Sequence, residues 1–222
     1  MTEGIKLGVG EMITGAARVF RDHPLPIALY VFTVAAIGVV NDRFLPQGLT
    51  LLDSLVGFFA GYLLYRRILR DEELMAPGRT GYSFGSYFGV SFLAGLGIVL
   101  GLLLFIVPGL ILAARWAIAS PLVVARGMTA SEAMRESWEL TRISQWRIAL
   151  LYLLYGFCLV ALMVAVAVPA GLFTGEMAEE NLGITVALNL LTQCFAVGGV
   201  ALGVAIMRAL GADSSRLETI FA

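Results

Sequence analysis

The sequence has few charged residues, and this scarcity restricts the class of protein more than any motif does. Charged residues make up 14% and apolar residues 59% of the 222 residues, and the mean hydropathy is +0.88. A soluble domain usually carries roughly 25% charged residues. The composition therefore excludes an ordinary soluble domain and predicts an integral membrane protein. A formal net charge of −1 also gives no reason to expect nucleic acid as a partner.

Cysteine and histidine are scarce as well, which argues against metal and disulfide chemistry. The two cysteines, Cys158 and Cys194, lie far apart in apolar runs, and His23 is the single histidine. No CxxC or other ligand spacing occurs, so we expect no metal and no other cofactor. We find no catalytic constellation and predict that the chain is not an enzyme. His23 precedes Pro24, which disfavours helical geometry at the residue before it, so we expect a helix end there with the histidine at the surface.

Six apolar runs are what the sequence does contain. They cover residues 25–40, 51–65, 87–107, 110–125, 148–172 and 184–207. A helix that crosses the hydrocarbon core needs about 20 residues, so the second and fourth runs are short. We predict an all-α fold in which six transmembrane helices form one integral membrane domain over residues 1–222.

Two amphipathic segments, residues 4–22 and 129–147, complete the predicted architecture. The first has no basic-then-apolar pattern of a signal peptide, and we expect it to be retained. The second opens with Thr129 and Glu132 in the spacing of a capping box. Its apolar face includes Met134 and Trp138, and Trp146 follows near its end. We predict two interfacial helices on the cytoplasmic side, the second a candidate surface for lipids or a partner.

Basic residues predict the orientation. If both termini are cytoplasmic, nearly all arginines and lysines lie on that side, whereas residues 173–183 carry three glutamates and no base. This distribution follows the positive-inside rule and requires an even number of crossings. Tyr65, Tyr87 and Trp146 then lie near the inner boundary, where an aromatic belt is expected.

Arg115 is the one arginine inside a predicted span. A charge at the bilayer centre costs about 2.5–3.5 kcal/mol even on a lenient scale. Three interpretations remain open: an arginine that snorkels alone to the headgroups, an ion pair with Asp53 that has Asn189 nearby, or part of a ligand site. Together, Arg115, Asp53 and Asn189 form a candidate intramembrane polar cluster.

Glycines predict where helices approach each other closely. Gly97 and Gly101 in the third run, and Gly199 and Gly203 in the sixth, are spaced four apart, as in close helix packing in membranes. Pro108 and Gly109 fit a tight turn, which would join the third and fourth spans as a hairpin at the outer face.

One stretch resembles a known family. It contains Val107-Pro108-Gly109, Arg115-Trp116, Pro121-Leu122-Val123-Val124, Ser131-Glu132-Ala133, Ser137-Trp138-Glu139-Leu140-Thr141-Arg142 and Trp146. It resembles the membrane domain of bacterial glycerophosphoryl diester phosphodiesterase. The resemblance implies about six helices in a bacterial inner membrane, and in some members an attached soluble phosphodiesterase domain. We find no such catalytic domain in this sequence, and a single histidine does not supply its metal site.

The preferred functional hypothesis is a non-catalytic accessory or scaffolding protein. Its partners would be membrane lipids, other membrane proteins or a second copy of the chain. The alternative is a transporter of a lipid-derived or amphiphilic solute, which would need a polar cavity that reaches Arg115, Asp53 and Gln193.

Overall fold

The prediction of an all-helical protein is confirmed. The computed structural model describes residues 8–44, 50–75, 84–174 and 181–221, except for the side chains of 43–44, 50–53, 170–174 and 212–221. Nine helices and no strand occur in this part of the chain. They are α1 (Val9–Asp22), α2 (Pro24–Phe44), α3 (Thr50–Asp71), α4 (Phe84–Leu104), α5 (Ile106–Arg115), α6 (Ala119–Arg126), α7 (Ala130–Leu140), α8 (Gln145–Thr174) and α9 (Leu182–Phe221).

Five segments of the described chain are long and apolar enough to cross a membrane. They are Pro24–Asp42, Phe84–Leu104, Ile106–Arg126, Gln145–Pro169 and Leu182–Gly211. The protein is therefore a membrane protein with several candidate spans. Helix α3 is not among the five, because its apolar part lies between Asp53 and Arg66 and is shorter than the about 20 residues that a crossing needs. The count of six crossings stays a prediction.

The predicted fourth span is not one continuous helix. Helix α5 ends at Arg115, three residues in turn conformation follow, and α6 begins at Ala119. The turn between α4 and α5 lies at Phe105 and not at Pro108 and Gly109, where it was predicted. Pro108 and Gly109 belong to the first turn of α5, where the missing N–H of proline breaks no intrahelical bond.

Local sequence signals explain most helix ends. His23 separates α1 from α2 as expected before a proline. Gly127 ends α6 in the left-handed conformation, φ 62° and ψ 34°, which glycine adopts without strain. Thr129 and Glu132 form the predicted capping box at the start of α7, with the Thr129 N–H 3.0 Å from the Glu132 carboxylate. The predicted interfacial segment 129–147 is shorter in the structure, because a turn over 141–144 ends it.

The best-packed part of the protein surrounds α6. All of its residues from Pro121 to Ala125 are buried, and it contacts α3, α4, α7 and α9. Such a helix is apolar on every side because it has neighbours on every side. Helix α1 packs its Met12, Ala16 and Val19 side into the same region, against α9. We call this end of the bundle, which contains α1, α6 and α7, the α6 end.

Candidate functional site

A groove between α2, α3, α4, α6 and α9 is the main candidate site. Its volume is about 390 Å³. Three tyrosines, two serines, three glycines and three apolar side chains line it: Tyr30, Ser54, Gly57, Phe58, Gly61, Tyr65, Tyr87, Ser120, Ala196, Gly199 and Val200. We refer to it as the tyrosine groove.

Hydroxyl groups give the tyrosine groove its polarity. Tyr65 and Tyr87 are almost fully buried, with ring centroids 5.9 Å apart. The Ser120 hydroxyl on α6 lies 3.3 Å from that of Ser91 on α4. None of the described residues that line the groove is charged. These residues therefore offer donors and acceptors to a neutral polar group and no countercharge to an anion.

Two glycines keep the tyrosine groove open. A Cβ atom added at Gly57 or at Gly199 would meet nothing within 4 Å. The expectation of close helix packing therefore does not hold at Gly199, where the missing side chain leaves space on the groove wall. At Gly61, by contrast, an added Cβ would lie 3.0 Å from the Tyr87 hydroxyl.

The other three glycines in the predicted packing set do lie at close approaches. A Cβ at Gly97 would be 2.6 Å from the Trp116 ring, and one at Gly101 would be 2.9 Å from the Gly109 Cα. A Cβ at Gly203 would be 3.0 Å from the Tyr65 hydroxyl. These contacts involve a tryptophan ring, a backbone and a hydroxyl, so the spacing of the glycines alone did not show what they pack against.

Arg115 is bound by α7, apart from Asn189 of the predicted polar cluster. Its Nη1 donates to the Trp138 carbonyl at 2.8 Å, and its guanidinium carbon lies 4.7 Å from the centre of the Trp138 ring. Its own carbonyl accepts from Ser137 at 2.7 Å and from Thr141 at 3.3 Å. The arginine thus lies at the C-terminal ends of α5 and α7, where carbonyl groups and the helix dipoles favour a cation.

Asn189 lies in a different place from Arg115. Its amide donates to the Asp42 carboxylate at 3.0 Å and to the Thr185 carbonyl at 3.0 Å. It therefore links α9 to α2 at the end of the bundle away from α6. The side chain of Asp53 lies outside the described residues. The structure does not bring Arg115 and Asn189 together, because each is held by its own partners.

The predicted interfacial residues differ in their surroundings. Met134 packs partly buried against the core, and Trp138 is 40% exposed and tilted against Trp116 at 6.3 Å. Trp146, at the start of α8, is 63% exposed. Ser137 and Thr141 on the same side of α7 are fully buried, so this face of α7 packs on the bundle.

The aromatic belt that we predicted from Tyr65 and Tyr87 is wrong for these two residues. Both side chains point into the protein and line the tyrosine groove. Sequence analysis missed the groove because a tyrosine near a span end has the same signal whether it faces headgroups or a neighbouring helix.

His23 is buried, which corrects the expectation of a surface residue. Its two ring nitrogens lie 3.7 Å from the Asp71 carboxylate and 3.4 Å from that of Glu72, and Glu72 also pairs with Arg208. This group ties the α1–α2 junction to the ends of α3 and α9. Within the described residues, no three His, Cys, Asp or Glu side chains form a group that could hold a metal.

Comparison with known protein families identifies the family of this chain. No curated protein and no solved structure matches the chain. The family model described as the membrane domain of glycerophosphoryl diester phosphodiesterase matches residues 90–209, more than half of the sequence. This range contains the α4–α5 hairpin, Arg115 with its partners on α7, and the α6 and α9 walls of the tyrosine groove. The chain therefore belongs to the family of glycerophosphoryl diester phosphodiesterase membrane domains, and the family is that of the membrane domain and not of the catalytic one.

Proposed function

We propose that this protein is a non-catalytic accessory protein of the membrane that binds one amphiphilic, lipid-derived molecule in the tyrosine groove. The groove is the observation that carries the proposal. Its volume of about 390 Å³ falls within the range of about 300–1,000 Å³ that is usual for small-molecule sites. Its lining is mostly apolar, with a few hydroxyl groups, as in sites that orient a largely apolar ligand.

The lining favours the glycerol and ester region of a lipid over a free phosphate. Tyrosine and serine hydroxyls can donate to ester oxygens and accept from hydroxyl groups. A phosphate would lose hydration in the groove and meet no arginine or lysine among the lining residues that the structure describes. The family description names glycerophosphoryl diesters, and a glycerol lipid would bring the same backbone to this chain.

The accessory role requires a surface on which another membrane protein can pack. Helix α8 exposes most of its surface, so a second membrane protein, or another copy of the chain, has room to pack beside it. We place the protein in a bacterial inner membrane with both termini in the cytoplasm, which is supported by the distribution of basic residues. Native mass spectrometry in mild detergent is expected to show an oligomer or a constant companion, and a bare monomer would contradict the accessory role.

Binding is favoured over transport. A transporter would need a polar cavity that connects Arg115, Asp53 and Gln193 to one side of the membrane. The side chain of Asp53 lies outside the described residues, and neither Arg115 nor Gln193 lines the tyrosine groove. Arg115 is instead bound by the end of α7.

The two open glycines allow a direct test of the groove. Leucine at Gly57 or Gly199 would extend into the tyrosine groove without striking the protein at its Cβ. Leucine at Gly95 or Gly156 provides the matched control, because an added Cβ also meets nothing within 4 Å there and neither residue lines the groove. All four changes replace a helical glycine by a better helix former, so we expect all four variants to fold.

Lipid retained through purification in mild detergent is the measurement, read by native mass spectrometry and by analysis of the extracted lipid. The wild type and the Gly95→Leu and Gly156→Leu variants are expected to hold a lipid at a fixed ratio. The Gly57→Leu and Gly199→Leu variants should lose most of it. Equal retention in all five proteins, or no specific lipid in the wild type, would contradict the proposal.

A further inference from the structure

The turn between α4 and α5 has an unusual composition for a turn outside the membrane. Every side chain from Phe92 to Ala114 is apolar. Leu103, Leu104, Phe105, Ile106 and Val107 at the turn are between 55% and 77% exposed. Two other connecting segments are charged in sequence: residues 41–53 contain two aspartates and an arginine, and 174–181 contain three glutamates. Five large apolar side chains facing water would be strongly unfavourable.

The backbone of this turn is short and partly hydrogen-bonded. A single residue, Phe105, separates the two helices. Its N–H donates to the Gly101 carbonyl at 3.0 Å, and its carbonyl accepts from the Gly109 N–H at 3.4 Å. Pro108 has no N–H, so at the start of α5 the amides of Ile106 and Val107 lack a helical partner, and at the end of α4 the carbonyls of Leu102, Leu103 and Leu104 do. Each unpaired group is costly in hydrocarbon, so the exposed apolar side chains of the turn, and not its backbone, favour lipid around it.

Helix α5 is too short to reach the far side of a bilayer. Its last residue, Arg115, is bonded to Thr141, four residues before α8 begins at Gln145. The C-terminal end of α5 and the start of α8 therefore lie at the same level. From there α5 has 10 residues, about 15 Å, and α8 has 30 residues, about 45 Å. The hydrocarbon core is about 30 Å thick, so the Phe105 turn lies near its middle.

Side chains at the start of α8 mark that level as a membrane boundary. Trp138 and Trp146 are exposed there, beside the exposed Arg142 and Arg147. Exposed tryptophans and bases are typical of the boundary between hydrocarbon and headgroups. Arg115 lies at the same level and so avoids the cost of a charge at the bilayer centre.

We infer that α4 and α5 form a re-entrant hairpin that enters the membrane from the α6 end and turns inside the hydrocarbon core. The five turn side chains contact lipid acyl chains. Both ends of the hairpin stay on one side of the membrane. The number of crossings therefore remains even, as the distribution of basic residues requires. The inference does not depend on a ligand in the tyrosine groove.

Single cysteines in a Cys158→Ala, Cys194→Ala background test this placement. The test positions are F105C and, as a second reporter of the same turn if the first variant does not fold, V107C. The control for the outer surface is the variant L182C, since Leu182 is the exposed first residue of α9. The control for the inner surface is R135C on α7. Intact cells are treated with a membrane-impermeant maleimide. Separately, spin-labelled protein in phospholipid vesicles is exposed to oxygen and to a water-soluble nickel complex.

The expected result is that L182C reacts with the maleimide and that F105C reacts at least tenfold more slowly. The spin label at 105 should collide with oxygen and not with the nickel complex, as expected among acyl chains. Reaction of F105C within threefold of L182C would overturn the inference, because the turn would then reach water. A spin label shielded from both reagents would also overturn it, because the turn would then be covered by protein.

Discussion

The attachment of α7 to Arg115 leads to a prediction that can be worked out atom by atom. The Arg115 carbonyl at the C-terminal end of α5 accepts from Ser137 at 2.7 Å and from Thr141 at 3.3 Å. Thr141 has a single hydroxyl hydrogen, which it shares between that carbonyl and the Ser137 carbonyl at 2.7 Å, the shorter of its two contacts. Both hydroxyls are fully buried. Ser137→Ala and Thr141→Val each remove one donor, and the double variant removes both.

The single and double variants should not be additive. After Ser137→Ala the Arg115 carbonyl keeps Thr141, so the expected loss is about 1–2 kcal/mol in the free energy of unfolding. After Thr141→Val it keeps the shorter bond to Ser137, and about 1 kcal/mol is expected. In the double variant a buried carbonyl has lost both donors. The loss should therefore exceed the sum of the two single losses by about 1 kcal/mol or more.

Thermal unfolding of the detergent-solubilised protein is the assay. For a chain of this length 1 kcal/mol shifts the Tm by about 2–4 °C. Ser131→Ala is the control, because this serine is exposed on the same helix and should change stability by less than about 0.5 kcal/mol. Losses that add within about 0.5 kcal/mol would refute the shared role of the two hydroxyls.

Two further substitutions test other contacts by the same unfolding assay. Gly109→Ala places a Cβ 2.5 Å from the Leu102 side chain and 2.6 Å from its backbone nitrogen, so a loss of about 1–3 kcal/mol is expected. Gly95→Ala, where a Cβ meets nothing within 4 Å, should be neutral or stabilising, and equal effects at both glycines would contradict the close contact. Glu72→Gln removes the buried carboxylate that pairs with Arg208, and about 1–2 kcal/mol should be lost because water screens the half-exposed arginine.

Much of the helical architecture was predictable because its signals are local. The break at His23 follows from the geometry that Pro24 imposes, and the start of α7 follows from the spacing of Thr129 and Glu132. Apolar runs likewise locate most of the helices. Each of these signals lies within a few residues of the feature that it determines, so one sequence is enough to find it.

The partners of Arg115 were not predictable for a physical reason. A buried arginine suggests a carboxylate, and Asp53 was the available one at a comparable depth. In the structure Arg115 contacts the Trp138 carbonyl and ring, and the side chain of Asp53 lies outside the described residues. Every residue offers a carbonyl, so sequence contains no signal for that choice until the fold brings α7 beside α5.

The tyrosine groove was hidden for a related reason. Glycines in membrane helices indicate close packing, and Gly97 and Gly203 follow that rule. Gly199 has the same local sequence context and faces open space. Only the positions of the neighbouring helices distinguish a glycine that admits a neighbour from one that leaves a cavity.

The distribution of burial connects the groove, the hairpin and α7. Helix α6 is surrounded by protein, whereas only 6% of the apolar part of α8 is buried. Buried side chains that stabilise the fold are thus concentrated at the α6 end. The tyrosine groove includes Ser120 of α6, and the Phe105 turn carries some of the most exposed apolar side chains. A change at Ser137 should therefore lower the stability of the whole protein, whereas the same type of change on the free side of α8 should not, because few contacts there depend on it.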